Sequence, residues 1–128
     1  MTIQKYIDEI KASLDRYANS FHIIDIELYL DLRIQQQGFV KGTVYFVNNT
    51  RLHFKEFVDA SEGILRKLRY SYHFQNADYS LIFRYDNSDH KPRLPFKDHK
   101  HLPGEIVSAK SPTLSEVILE ILAHISEK

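Results

Sequence analysis

A chain of 128 residues with 43% hydrophobic and 27% charged side chains has the size and composition of one soluble globular domain spanning residues 1–128. The absence of cysteine excludes disulfides, thiolate zinc sites, iron–sulfur clusters and thiol nucleophiles. Seventeen basic against seventeen acidic residues exclude a dominant nonspecific attraction to nucleic acid, though not a local basic patch. No apolar run approaches the roughly 18 residues that span a bilayer, and the polar, acidic start MTIQKYIDEI is unlike an export signal, so a cytoplasmic protein with no membrane segment is expected.

Residues 3–17 carry Ile3, Tyr6, Ile7, Ile10, Leu14 and Tyr17 at spacings of three and four, which predicts an amphipathic helix capped by Thr2. After Asn19 and Ser20 the period becomes two: Ile24, Ile26, Leu28, Leu30, Leu32 and Ile34 alternate with polar residues and Tyr29, the pattern of a long strand with one buried face. Residues 39–47, rich in β-branched and aromatic side chains, predict a second strand, with a hairpin turn at Asn48, Asn49 and Thr50. Strands over 51–59, 64–75 and 79–85 follow. Their short connections favour a five-stranded antiparallel meander. Residues 86–110 lose periodicity and hold Pro92, Pro95, Pro103 and Gly104, which predicts mostly loop. Ser111 and Pro112 read as N-cap and first position of a second helix with the stripe Leu114, Val117, Ile118, Ile121, Leu122 and Ile125. The expected class is α+β, with both helices packed on the sheet.

The chemistry concentrates in residues 84–101. This segment holds three of the seven histidines (His90, His99, His101), and its five basic side chains (Arg84, Lys91, Arg93, Lys97, Lys100) outnumber the acids Asp86, Asp89 and Asp98. Histidine exchanges protons near neutral pH, and Arg or Lys beside it stabilises charge on a phosphoryl transition state. On an extended backbone His99 and His101 point to one side and Lys100 to the other. The same pair suits metal ligation, with His90 or Asp86 as third ligand to zinc, manganese or another divalent ion; surface histidines bonded to loop carbonyls are the alternative. Arg84, Asp86, His99 and His101 are expected to converge within about 8 Å in an open cleft, with Glu56 near its wall.

Glu56 falls in the otherwise apolar set Leu52, Phe54, Val58, and a carboxylate turned toward a core needs compensation. An ion pair with Arg84 or Arg69, a place facing the histidine loop as base or metal ligand, or a bulge turning it to solvent would each provide it. The aromatics of residues 70–85 read chiefly as core, leaving Tyr72 and Tyr85 as platforms on which unpaired bases can stack. His22, His53, His73 and His124 are scattered and receive no role.

The runs YSYHFQ from Tyr70 and LIFRYDN from Leu81, followed by His90 and the HKHLP segment from His99, resemble the TumE-type toxin family of prokaryotic type II toxin–antitoxin modules. The resemblance runs from about Leu52 to the final helix. It departs from the family at Ser88, Asp89 and a single His90, where relatives often carry proline and paired histidines. It implies a small cytoplasmic toxin neutralised by a cognate antitoxin, often a helix-turn-helix protein, in a family commonly suspected of acting on RNA. The matching positions are Glu56, Arg84, Tyr85, Asp86, Asn87, His90, His99 and His101. The leading expectation is a metal-independent endoribonuclease without cofactor. One of the three histidines would deprotonate a ribose 2′-hydroxyl and another protonate the leaving oxygen; Arg84 with Lys91 or Lys100 would bind phosphate, and Asp86 would orient a histidine. The rivals are a divalent-metal hydrolase using His99, His101 and Asp86, and a non-catalytic protein- or RNA-binding module.

Overall fold

The computed structural model describes residues 1–126. Helix α1 (Ile3–Ala18) is followed by strands β1 (Ile23–Arg33), β2 (Gln37–Phe46), β3 (Arg51–Asp59), β4 (Arg66–Gln75), β5 (Leu81–Asp86), β6 (His99–Leu102) and β7 (Glu105–Ser108), and then by helix α2 (Leu114–Ser126). The strands form one sheet in sequence order, every neighbouring pair antiparallel. The sheet has seven strands, where the alternation predicted five. The two additional strands lie in the region read as loop, joined by a turn at Pro103 and Gly104. Gly104 has φ +84°, the left-handed conformation that glycine reaches without steric cost at the third position of such a turn.

Ile7, Ile10 and Leu14 of α1 and Val117, Ile118 and Ile121 of α2 share one core with Val44, Leu52, Phe54, Tyr72, Phe74 and Phe83 of the strands. Each large apolar side chain fully withdrawn from water there contributes about 1.5–3 kcal/mol. The N-terminus of α1 is capped as expected, Thr2 Oγ1 accepting from Lys5 N at 3.1 Å. That of α2 is set later than expected. Thr113 Oγ1 accepts from Glu116 N at 3.1 Å while Thr113 N donates to Glu116 Oε1 at 2.9 Å, a reciprocal capping box. Pro112 stays outside the helix and its carbonyl accepts from Lys67 Nζ.

Strand β1 departs most from its pattern. An irregularity between Ile23 and Asp25 puts Ile23 inside and leaves Ile24 exposed. Leu32 and Ile34, at and beyond the far end, are exposed too. Tyr79, expected in the fifth strand, instead occupies the preceding turn with φ 72° and is exposed. Ile64 also lies before its strand, in solvent.

Gly42 of β2 lies between its partners Leu28 of β1 and Phe54 of β3. A Cβ there would collide with the Glu27 carbonyl oxygen, which is backbone, and with the Phe54 ring. Gly42→Ala is therefore expected to destabilise the fold by about 1–3 kcal/mol, read as a lower urea midpoint with unchanged slope.

Candidate functional site

Alternation gives the sheet two unlike faces. The apolar set faces the helices, while Thr43, Lys41, His53, Lys55, Ser71, His73, Arg84, Asp86, His99 and His101 share the other face by register. At its β5–β6 corner Asp86 lies opposite His99, and Arg84 opposite His101.

Asp86 is the hub of this corner. Its Oδ2 accepts from Arg84 Nε at 2.7 Å, and its Oδ1 meets His99 Nε2 at 2.7 Å and accepts from Ser88 N at 3.2 Å. His101 Nε2 faces Oδ2 at 3.4 Å. The other nitrogen of His99, Nδ1, lies 2.8 Å from the Lys97 carbonyl; a carbonyl only accepts, so Nδ1 carries the proton in that bond. Asp86 and His99 are 3% and 1% exposed, so both ring nitrogens of His99 are engaged out of reach of a substrate. His101 is the accessible partner, its side chain 22% exposed and its ring 4.8 Å from that of His99. His90 comes down from the loop between β5 and β6, its ring centroid 5.9 Å from that of His101 and its Nδ1 3.1 Å from the Pro92 carbonyl. Burial, reinforced by the charges of His99, Arg84 and His90, lowers the pKa of His101 below the ordinary histidine value against the opposing pull of Asp86. A neutral imidazole, fit to accept a proton, is thereby favoured near pH 7.

The four residues expected to converge do so, with two corrections. The cluster is held on a sheet corner with its central carboxylate buried, and Glu56 is not at its wall. Glu56 lies on the helix-facing side, 1% exposed, where the Tyr6 and Tyr72 hydroxyls donate to its two oxygens. Neither an arginine nor a turn to solvent compensates it. Tyr72 is fully buried and presents no ring on which a base can stack. Tyr85 and Lys100 also face the helices, both bonded to Glu120 of α2 at 2.6 and 2.8 Å. Lys91 is exposed on the loop between β5 and β6, and no bond among the described residues brings it into the cluster. His73 went unassigned because its place depends on register: it lies opposite Arg84 on β4, its Nδ1 3.4 Å from Arg84 Nη1. Its alternation with Ser71 and Arg69 was the signal available.

Asp86, His99 and His101 could also hold a cation, since one ligand atom from each lies within 4.8 Å of the others. The bond from His99 Nδ1 to a backbone carbonyl is the support that metal-binding histidines commonly have. Against this stands Arg84, whose permanent charge already occupies Asp86 Oδ2.

An α+β protein with buried Asp86 bracing Arg84 and two histidines at a sheet corner has the parts of an acid–base site that also receives an anion. Residues 13–128 match the family described as Toxin TumE, and the chain belongs to that family. Membership implies a toxin of a toxin–antitoxin pair, and so a cognate antitoxin. The match begins within α1, well before the region from Leu52 that carries the resemblance in the sequence. No curated protein and no solved structure matches the chain. No helix among the described residues is long and apolar enough to cross a membrane.

Proposed function

We propose that the chain is a cytoplasmic toxin that arrests growth by cleaving RNA without a metal, its site formed by His101, His90 and Arg84 and braced by Asp86 and His99. The observation that carries this reading is the division of labour around Asp86. Its carboxylate holds the guanidinium of Arg84 and turns His101 Nε2 inward, which leaves Nδ1 to accept the proton of a ribose 2′-hydroxyl. As that proton moves to His101, the 2′-oxygen bonds to phosphorus and the bond from phosphorus to the 5′-oxygen breaks. His90 supplies the proton to the departing 5′-oxygen, giving a 2′,3′-cyclic phosphate and a free 5′-hydroxyl. Arg84, its Nε held by Asp86 and its Nη1 beside His73, offers Nη2 to the phosphate. A cognate antitoxin, expected to carry a helix-turn-helix, neutralises the toxin.

The test is incubation of the purified toxin with total RNA, with the new ends mapped. Cyclic phosphate termini produced in the presence of EDTA support the reading, and cleavage lost to EDTA and restored by zinc or manganese transfers Asp86, His99 and His101 to a ligand role. With His101 as base, the acid limb of kcat/KM against pH is expected below the ordinary histidine pKa of about 6.5. The rate falls only as pH drops through the lowered value, because protonation removes the base.

A further inference from the structure

The helix-free face of the sheet carries a charge pattern that the corner site does not use. Lys41 of β2 and Lys55 of β3 stand directly opposite each other, both exposed. Like charges in that position destabilise a sheet. Neither lysine, nor Arg51 or Arg69 on the same face, forms an ion pair among the described residues. Two residues along the same strands, Phe39 and Phe57 stack side by side at 4.7 Å and 13°, and Phe39 is 39% exposed. The register continues the lysine row straight to the corner: Lys41, Lys55, Ser71, Asp86 and His99 are successive partners on β2 to β6. Strand spacing puts Lys41 roughly 14 Å from Asp86. On the far side β1 places Asp25, Glu27 and Asp31 on this face, with Arg33 paired to Asp31, so the run of unpaired cations stops at β2 and leads toward β5 and β6.

We propose that this face, from the Phe39–Phe57 pair across Lys41 and Lys55 to the β5–β6 corner, is the track that holds single-stranded RNA flanking the scissile phosphate. The inference rests on the ribonuclease reading and extends it from the reacting groups to the substrate's path. The phosphates relieve the repulsion between the two lysines, and Arg33, whose guanidinium lies 5.0 Å over the Phe39 ring, adds a cation at the end of the track beside the Phe39–Phe57 pair. A polyanion is the occupant that the charges favour, because Lys41, Lys55, Arg51 and Arg69 of this face have no ion-pair partner among the described residues, while its one carboxylate on β2 to β4, Asp59, is held by Gln37 and Ser61.

The experiment uses single substitutions, Lys41→Glu and Lys55→Glu, each of which turns the like-charge pair into an opposite-charge pair. A folding defect is then not the expected consequence: the melting temperature should hold or rise. The probe is a labelled 2′-O-methyl oligoribonucleotide of about ten nucleotides and mixed sequence, which lacks the nucleophile and cannot be cleaved by the proposed route. By fluorescence anisotropy, each variant is expected to bind at least tenfold more weakly than the unaltered chain at low salt. The slope of log K against log salt should become shallower by about 0.7 or more, the loss of at least one phosphate contact. Unchanged affinity and slope would overturn the track, as would an unaltered chain that cleaves RNA yet fails to bind the probe. Loss of antitoxin binding in the variants with RNA affinity intact would overturn it too, by assigning the face to the protein partner. An unaltered chain that binds the probe through these lysines but cleaves no RNA would uphold the track and refute the ribonuclease reading.

Discussion

His101→Ala is expected to lower RNA cleavage by about 10²–10⁴-fold, the usual contribution of a general acid or base, and to relieve growth arrest while leaving the melting temperature nearly unchanged. The side chain is partly open to solvent and its contact with Asp86 is long, at 3.4 Å, so its removal leaves the core and the Arg84–Asp86 pair in place. His99→Ala should behave differently, although the sequence treats the two histidines alike. His99 is buried with both nitrogens engaged. Its loss leaves the Lys97 carbonyl and one carboxylate oxygen of Asp86 short of a donor, a destabilisation of about 1–3 kcal/mol, and activity should fall because the brace has gone. Melting curves and cleavage rates on the same two preparations separate the roles. Full activity in a stably folded His101→Ala protein would eliminate the histidine mechanism.

The corner was legible in the sequence because two local rules suffice to build it. Arg84 and Asp86 alternate onto one side of a strand, and so do His99 and His101 on theirs. What the sequence did not disclose is that these pairs are direct cross-strand neighbours. β6 and β7 have only four residues each, and β6 reads His-Lys-His-Leu, too polar to register as a strand. The Pro103–Gly104 turn between them is the available signal, and without periodicity on either side of it a turn does not distinguish a hairpin from a loop. His53 and His73 carry no signal in the sequence for a related reason. Each is unremarkable along its own strand, and only the register of β3, β4 and β5 lines them up beside Arg84. The helices and the order of the first five strands emerged because hydrophobic period is a local property. The edge strand β1 breaks its period at the irregularity between Ile23 and Asp25, which turns Ile23 inward and Ile24 out, a local event that alternation alone does not announce.

Glu56→Ala is expected to cost about 3–5 kcal/mol, the penalty for removing one member of a buried, mutually compensating polar set. Glu56 was recognisable in sequence as an anomaly on an apolar face, but its partners were not, because Tyr6 lies fifty residues away in sequence. Its carboxylate joins Tyr6 of α1 to Tyr72 of β4, and Lys67 Nζ donates to the Tyr72 hydroxyl at 2.7 Å and to the carbonyl of Pro112, just before α2. One buried carboxylate thus joins α1 to the sheet directly, and through Tyr72 and Lys67 reaches the segment just before α2. Burial, and then the charge of Glu56, push the pKa values of Tyr6 and Tyr72 above the ordinary tyrosine value, so both phenols remain donors at any pH at which the protein is handled. Burial also pulls Lys67 below the ordinary lysine value, an effect that Glu56 opposes; removing the carboxylate strips that support away. Glu56→Gln keeps the volume and one acceptor oxygen, and its cost should be smaller, about 1–2 kcal/mol. Because Glu56 and the Asp86 cluster lie on opposite faces of the sheet, the rate of RNA cleavage per folded molecule should be unchanged in Glu56→Gln. Urea melts alongside single-turnover rates check both halves, and a Glu56→Gln protein of undiminished stability that cleaves no RNA would return this carboxylate to the chemistry.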